Sequence, residues 1–177
     1  MKISITGHTF GLGKEIHDHL TSLGHEVIGL SRSNGYELPN DISKIIEVAE
    51  TCDIFFNNVH QGTMQATLIE KLYNTTSIVT SGSMAGDYWM INHPSIPQPY
   101  SKEKFQIEKA HKKFKKLTQQ PMLLLKMGHL ENGKGSSTIP YKYILNAIDF
   151  WLLTSRASII EFDNINYDEL QKLSASV

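Results

Sequence analysis

Tyr100 and Lys104 are the two residues whose types and spacing most directly suggest chemistry. They stand four positions apart in a segment with helical spacing. Residues i and i+4 of a helix share one face, so the phenol and the ammonium can reach one site. A free tyrosine gives up its proton only near a pH of about 10, and a neighbouring ammonium favours the phenolate. The pair therefore predicts a tyrosine that serves as a general acid or base, with Lys104 as its partner.

A serine-rich segment ends a predicted strand ahead of this pair, reading Ser81-Gly82-Ser83-Met84-Ala85-Gly86. A serine hydroxyl at this place could donate a hydrogen bond to a substrate carbonyl oxygen while Tyr100 delivers the proton. Ser83 is the first candidate for that role, and Ser81 is the reserve candidate. The alternative is that Ser83 only caps a turn or a helix.

A glycine-rich turn lies between the first predicted strand and the first predicted helix. The strand has to turn tightly, the backbone has to approach a pyrophosphate closely, and the helix N-terminus has to present free N–H groups to that anion. The turn therefore predicts a dinucleotide site, and a glycine-rich turn with no ligand is the alternative. The predicted cofactor-binding residues in it are Gly7, His8, Thr9, Phe10, Gly11, Leu12 and Gly13.

The residues after the second predicted strand bear on the choice of cofactor. A carboxylate there would hold the ribose 2′-hydroxyl of NAD and repel the 2′-phosphate of NADP. The chain has no acid at this point, and Ser31 is followed by Arg32, which could pair with a phosphate through two N–H groups. We therefore predict that Ser31 and Arg32 bind the cofactor and that NADP(H) is favoured over NAD(H). The alternative is that Arg32 is an ordinary surface arginine.

Taken together, these motifs resemble those of the short-chain dehydrogenase/reductase family. The turn has that family's spacing, with Gly7, Gly11 and Gly13 following a threonine, and the later segments resemble its serine and its Tyr-x-x-x-Lys. The resemblance implies a Rossmann-type fold and a hydride transfer between nicotinamide and a carbonyl or alcohol. It also implies that Ser83 orients the carbonyl, Tyr100 is the acid/base and Lys104 assists Tyr100 and holds the ribose.

The resemblance extends to further segments, with departures. Asp41 and Ile42 match the family's pair at the adenine ring, and Met127 and Gly128 match its Pro-Gly. Asn58, Val59 and His60 follow the third strand where the family has Asn-Ala-Gly. His60 replaces the glycine, so it either faces the cofactor or substrate or is a hydrogen-bonded loop residue.

Two family residues have no clear counterpart. No asparagine matches the family's proton-relay asparagine, which leaves a triad of Ser83, Tyr100 and Lys104. The family's carboxamide-binding threonine aligns with Asn132, and a loop shift would bring residues 136–138 to that place instead.

The segments that must position these residues alternate between short apolar strands and amphipathic helices, which predicts a parallel sheet covered by helices on both faces. The expected fold is thus a three-layered, doubly wound α/β domain spanning residues 1–177. Predicted strands cover residues 2–5, 26–30, 53–57, 77–80, 122–126 and 158–162, with a remnant strand at 36–38. Predicted helices cover 13–23, 43–50, 63–73, 100–117 and 140–153, with a terminal helical turn at 167–173. Predicted loops cover 33–40, 86–99 and 128–137. The inward stripe of the longest helix is predicted to be Ile107, His111, Phe114 and Leu117.

Composition narrows the range of partners. The chain has 177 residues and a formal net charge of −1, so it has no overall electrostatic case for binding nucleic acid or a membrane. No apolar stretch is long enough to span a bilayer, and we expect a cytoplasmic protein. The single cysteine, Cys52, excludes an internal disulfide, and no metal site is predicted. A lysine run at residues 109–116 is either a solvated helix face or a phosphate-attracting patch.

The leading hypothesis is an NADP(H)-dependent carbonyl reductase, or the reverse alcohol dehydrogenase, acting on a small molecule. A non-catalytic NADP-binding module or redox sensor is the alternative, because the relay asparagine is missing and several elements are short. Sugar-nucleotide epimerase or dehydratase chemistry uses the same triad, but those relatives usually have a sizeable C-terminal substrate region. A homodimer through the long helix after Tyr100 is plausible on the same resemblance.

Overall fold

A six-stranded parallel sheet is the centre of the computed structural model, which describes residues 1–90, 98–130 and 138–162. Its strands are β1 (Lys2–Thr6), β2 (Glu26–Leu30), β3 (Ile54–Asn57), β4 (Ser77–Ser83), β5 (Met122–Met127) and β6 (Ile159–Phe162). The helices are α1 (Gly11–Ser22), α2 (Ile42–Glu50), α3 (Met64–Leu72), α4 (Ala85–Met90), α5 (Gln98–Lys115) and α6 (Tyr141–Thr154).

The order of the strands creates the site. It is β2-β1-β3-β4-β5-β6, and every neighbouring pair is parallel. The chain therefore leaves β1 on one side to form β2 and returns on the other side to form β3. Ligands of open parallel sheets bind beyond the carboxyl ends of the strands at such a reversal. The predicted fold class, a Rossmann-type α/β domain with a parallel sheet between two layers of helices, is confirmed.

Two apolar layers cover the sheet. On one face, α1 and α6 pack their apolar sides, Ile16 and Trp151 among them, against β1, β3 and β5. On the other face, α2, α3 and α5 pack residues such as Leu68 and Ile107 against the same sheet. Because both faces are covered, the four central strands, β1, β3, β4 and β5, are buried along nearly their whole length.

One predicted loop contains a helix. Residues 86–99 were expected to be irregular because of their prolines, but α4 occupies the first part of this segment. The cause is a close approach to α5: a Cβ on Gly86 would lie 3.0 Å from the backbone nitrogen of Phe105. Glycine at this position lets α4 lie directly against α5, a tertiary contact that no local pattern announces.

Three smaller predictions are also wrong. The remnant strand at 36–38 is absent, because the chain instead folds a 3₁₀ turn at Arg32–Asn34 and then reaches α2 through turns. Leu117 is 61% exposed rather than inward, since α5 ends before it. The strand predicted at 77–80 continues to Ser83. The predicted helical turn at 167–173 and the position of Asn132 lie outside the described residues.

Cys52 is buried beside the start of β3. No helix within the described ranges combines the length and apolar character that a membrane crossing requires.

Candidate active site

A cleft of about 560 Å³ lies beyond the carboxyl ends of β1, β2 and β3. Its walls come from the glycine turn, from the 3₁₀ turn after β2 and from the segment after β3. The lining residues are Thr6, Gly7, Thr9, Phe10, Leu30, Ser31, Arg32, Ser33, Tyr36, Glu37, Leu38, Ile45, Val59, His60 and Gln61. We call this the larger cleft.

The glycine turn has the geometry of an anion cradle. Gly7 has φ +70, a conformation that L side chains rarely adopt. A Cβ on Gly13 would lie 2.1 Å from the Gly7 carbonyl oxygen, so only glycine lets α1 pack this closely on the turn. No side chain of the described residues caps the N-terminus of α1, whose first N–H groups are therefore available to an anion. These features fit a dinucleotide pyrophosphate.

His8 turns away from the cradle. Its ring lies against β2, where a Cβ on Gly29 would stand 2.4 Å from three ring atoms. The ring also packs beside that of His17, at 5.2 Å between centroids. Burial, followed by the nearby His17, holds the pKa of His8 below its ordinary value. The side chain of His8 therefore helps to seat the turn on the sheet.

Thr6 ties together the two strand ends at the reversal. Its hydroxyl donates to the Phe56 carbonyl at 3.3 Å and accepts hydrogen bonds from the backbone N–H groups of Asn58, at 3.0 Å, and Val59, at 3.2 Å. The Asn58 amide in turn donates to the Gly7 carbonyl at 3.4 Å. The segment after β3 is thus fastened to the glycine turn. The motifs in the sequence predict one cofactor site for both segments.

A smaller cleft of about 180 Å³ contains the predicted catalytic residues. It is lined by Leu12, Asn58, Ser81, Gly82, Ser83, Tyr100, Lys104, Met127, Gly128 and Leu130. The fold therefore brings Ser83, Tyr100 and Lys104 to one cleft. Leu12 of α1 and Asn58, which bonds to Gly7, connect this cleft with the glycine turn.

Lys104 lies at the inner wall of the smaller cleft and is 6% exposed. Burial lowers the pKa of its ammonium to about 8, against a smaller opposing effect of Glu103. Its Nζ stands 5.5 Å from the centroid of the Tyr100 ring and donates to the side-chain oxygen of Gln65 at 3.1 Å. An ammonium this close to the phenol can stabilise a phenolate.

Ser83 and Ser81 have different partners. The Ser83 hydroxyl accepts the Ala85 backbone N–H at 3.2 Å. Its own proton bonds to no group within the described ranges and can be donated into the cleft. The Ser81 hydroxyl donates to the side-chain oxygen of Asn58 at 2.8 Å. Ser81 therefore supports Asn58, and Ser83 is the serine better placed to meet a ligand.

His60 links the two clefts. Its ring stands edge-on to that of Tyr100, at 5.1 Å between centroids, and its Nε2 pairs with Glu103 at 2.8 Å. Burial, then the charge of Lys104, lowers the pKa of His60, and Glu103 opposes them. The histidine that replaces the family's glycine thus lies against the candidate acid/base.

Comparisons with known proteins bear on the fold. No family model matches the chain, and the search of curated proteins finds no significant match. Solved structures do match. This is the fold of the short-chain dehydrogenases.

Three of these structures illustrate the likeness. The bulky-bulky ketone specific alcohol dehydrogenase from Comamonas testosteroni has a TM-score of 0.71 and 12% identity, covering 99% of this chain and 93% of its own. A short-chain dehydrogenase from Streptomyces avermitilis has a TM-score of 0.70 and 14% identity, with the same coverages of 99% and 93%. The UDP-N-acetylglucosamine 4-epimerase from Bacillus cereus has a TM-score of 0.68 and 18% identity, covering 92% of this chain and 77% of its own. At such identities the likeness establishes the dehydrogenase fold alone.

The end of the larger cleft next to β2 is built by the 3₁₀ turn. Asn34 fastens this turn by accepting the Ser31 N–H at 2.8 Å and donating to the Gly29 carbonyl at 2.6 Å. Ser31 and Arg32 line the cleft, as does Glu37, an acid that sequence reasoning did not place here.

Asp41 and Ile42 do not line the larger cleft. The Asp41 carboxylate is occupied with the Glu37 N–H, at 2.9 Å, and with Lys44, at 2.6 Å. The apolar wall at that end comes instead from residues that sequence reasoning missed: Tyr36, Leu38 and Ile45. Their apolar spacing was the available signal, but only the turn after β2 brings them to the cleft.

Proposed function

We propose that this chain is an NADP(H)-dependent oxidoreductase that interconverts a carbonyl compound and an alcohol. The observation that carries the proposal is the convergence of Ser83, Tyr100 and Lys104 on one cleft. That cleft is connected by Asn58 to the glycine turn, whose shape fits a dinucleotide.

The chain's own groups supply the cofactor site. The glycine turn and the uncapped start of α1 would hold the pyrophosphate, and Ser31 and Arg32 would hold the ribose 2′-phosphate. Met127, Gly128 and Leu12 would border the nicotinamide end. The bound nicotinamide supplies or accepts the hydride.

The proton is handled by Tyr100. Its hydroxyl gives a proton to the carbonyl oxygen in reduction and takes it back in oxidation. Lys104, 5.5 Å from the Tyr100 ring, stabilises the phenolate form, and the free proton of Ser83 orients the carbonyl oxygen.

The test has two stages. NADPH and NADH are first titrated by fluorescence, and NADPH oxidation is then followed with a panel of ketones and quinones. Tyr100→Phe is expected to abolish turnover and to leave NADPH binding within about twofold, because only the phenol oxygen is removed. Tyr73→Phe, which changes a tyrosine packed against Phe114, is the matched control and should retain turnover.

A cofactor-binding module without turnover is the second candidate. The smaller cleft favours it, since about 180 Å³ leaves little room beside a nicotinamide ring. NADPH binding with no oxidation by any carbonyl compound in the panel would support the module. Turnover that survives Tyr100→Phe would refute the role of Tyr100.

A further inference from the structure

Gln65 of α3 is fully buried beneath the smaller cleft, and every polar atom of its side chain has a partner. The amide nitrogen donates to the Asn57 carbonyl at 2.8 Å and to the Ser81 carbonyl at 3.1 Å. The amide oxygen accepts from Lys104 at 3.1 Å. Asn57 returns a bond from its own amide to the Gln65 backbone carbonyl at 2.8 Å.

These partners fix which way the amide points. Two carbonyl oxygens face one end of the Gln65 side chain, and a cation that can only donate faces the other. The reversed amide would set its oxygen against both carbonyls and its N–H groups against the Lys104 ammonium. Gln65 is therefore held in the one orientation that offers an acceptor to Lys104.

The sheet explains why two carbonyls need this partner. The pairing of β3 with β4 ends at Asn57 opposite Thr80, whereas β4 continues to Ser83. Beyond this pair, β3 supplies no further backbone N–H groups to β4. The Asn57 and Ser81 carbonyls therefore need another donor. The Gln65 amide supplies that donor, because a buried carbonyl left without one is costly.

Gln65 is a neutral hydrogen-bond partner of the Lys104 ammonium. The charged and titratable side chains that act on Lys104 are Glu103 on its own helix, His60 from the segment after β3, and the Tyr100 phenol. Among the described residues, its hydrogen-bond acceptor is Gln65. An ammonium has three donors, so two remain for groups in the cleft.

We propose that Gln65 is a positioning residue: it holds the Lys104 ammonium at the smaller cleft while it joins the ends of β3 and β4. Its part in the reaction rests on the proposed function, but the contact itself can be tested without turnover.

The test uses two substitutions at Gln65. Both remove the amide N–H groups that bond to the Asn57 and Ser81 carbonyls, but they shift the pKa of the Lys104 ammonium in opposite directions. Gln65→Met keeps the length of the side chain and removes the acceptor, so the titration midpoint of Lys104 should fall. Gln65→Glu keeps the shape and adds a negative charge, so that midpoint should rise. A hydrogen bond to a charged group corresponds to a shift of about one to two pH units. The readout is the ¹³Cε chemical shift of Lys104 against pH in the intact chain, with the resonance assigned by Lys104→Arg.

The controls separate this role from a structural one. Gln119→Met and Gln119→Glu, at an exposed glutamine, should leave the Lys104 midpoint in place. If Gln65→Met fails to fold, Gln65→Asn, which withdraws the amide by one methylene, should lower the midpoint in its stead. The proposal would be overturned if the Lys104 midpoint moved in the same direction in Gln65→Glu and in Gln65→Met (or Gln65→Asn). It would also be overturned if the midpoint moved in neither.

Activity then tests the role in the reaction. The pH dependence of kcat should move in the same direction as the Lys104 midpoint in each variant. A midpoint that moves while this pH dependence stays fixed would overturn the catalytic part of the inference. If the wild-type chain turns over no substrate, the proposed function fails, while the midpoint shifts still report on the contact.

Discussion

In the proposed function, the choice between NADP(H) and NAD(H) is assigned to Arg32. It stands in the 3₁₀ turn at the edge of the larger cleft, and the turn is pinned by Asn34. Arg32→Ala should weaken NADPH binding by about 10- to 100-fold, the value of a charge-assisted pair, and leave NADH binding nearly unchanged. Fluorescence titration with both nucleotides measures this, with the exposed Arg156→Ala as control. An equal loss for both nucleotides would contradict the assignment of Arg32 to the 2′-phosphate.

Residues whose motif carried its own spacing were predicted to meet at one site, and their catalytic roles remain predictions. Ser83, Tyr100 and Lys104 were named from the sequence, and the structure places them in one cleft. Gln65 was not named, because its contacts join it to residues 8, 16 and 39 positions away and no local pattern links them.

At the scale of elements, Lys126 of β5 joins several pieces of structure behind the site. It is 6% exposed and pairs with Asp87 of α4 at 2.7 Å, Glu108 of α5 at 3.2 Å and Glu161 of β6 at 3.3 Å. Burial lowers the pKa of Lys126, but the bonds to these carboxylates raise it by more than burial lowers it. The net pKa therefore lies above the ordinary value of a lysine. Lys126 therefore remains charged and holds α4 and α5 to the sheet.

Lys126→Met should accordingly lower the free energy of unfolding by about 1–3 kcal/mol, chiefly because Glu108, 13% exposed, loses a partner. Urea unfolding measures the change. Adding Glu108→Gln should recover part of the loss. Lys112→Met removes an exposed lysine that pairs with the same Glu108, and it should cost less than about 1 kcal/mol. Equal costs for Lys126→Met and Lys112→Met would show that Lys126 does not join these elements.

Helices and strands were predicted from the sequence wherever burial requires apolar residues at regular spacing or in a continuous run. The apolar strands and the helices that cover them follow from this pattern, with ends that differ by one to three residues for strands such as β4. Helix α4 was not predicted from the sequence, because its position depends on contact between Gly86 and the backbone of α5. The prolines of the same segment suggested a loop, and they lie beyond the end of α4.

For the molecule as a whole, acid sensitivity follows from His111 on α5. This side chain is fully buried, and its Nε2 lies 3.3 Å from the Ser158 hydroxyl. Burial first, together with nearby Lys115, lowers its pKa to about 4. The unfolded chain, with a histidine pKa of about 6.5, therefore binds more protons than the folded chain between these values. Stability is full above pH about 6.5 and is lost progressively as the pH falls towards 4.

The expected loss from this one group between pH 7 and pH 5 is about 2 kcal/mol. His111→Gln should remove that part of the pH dependence, even if it lowers stability at pH 7. Urea unfolding at the two pH values measures the difference, with His25→Gln, in the turn after α1, as the control. A slope unchanged by His111→Gln would contradict the role of this histidine.

The contact between His8 and Gly29 makes two distant positions depend on each other. Any side chain on residue 29 would occupy the space that the imidazole fills, since even a Cβ would stand 2.4 Å from it. Among sequences of this kind, a larger residue at position 29 is expected only together with a small one at position 8. The residue at position 29 of β2 thus limits which side chains position 8 of the glycine turn can carry. Libraries that randomise the glycine turn should therefore include residue 29.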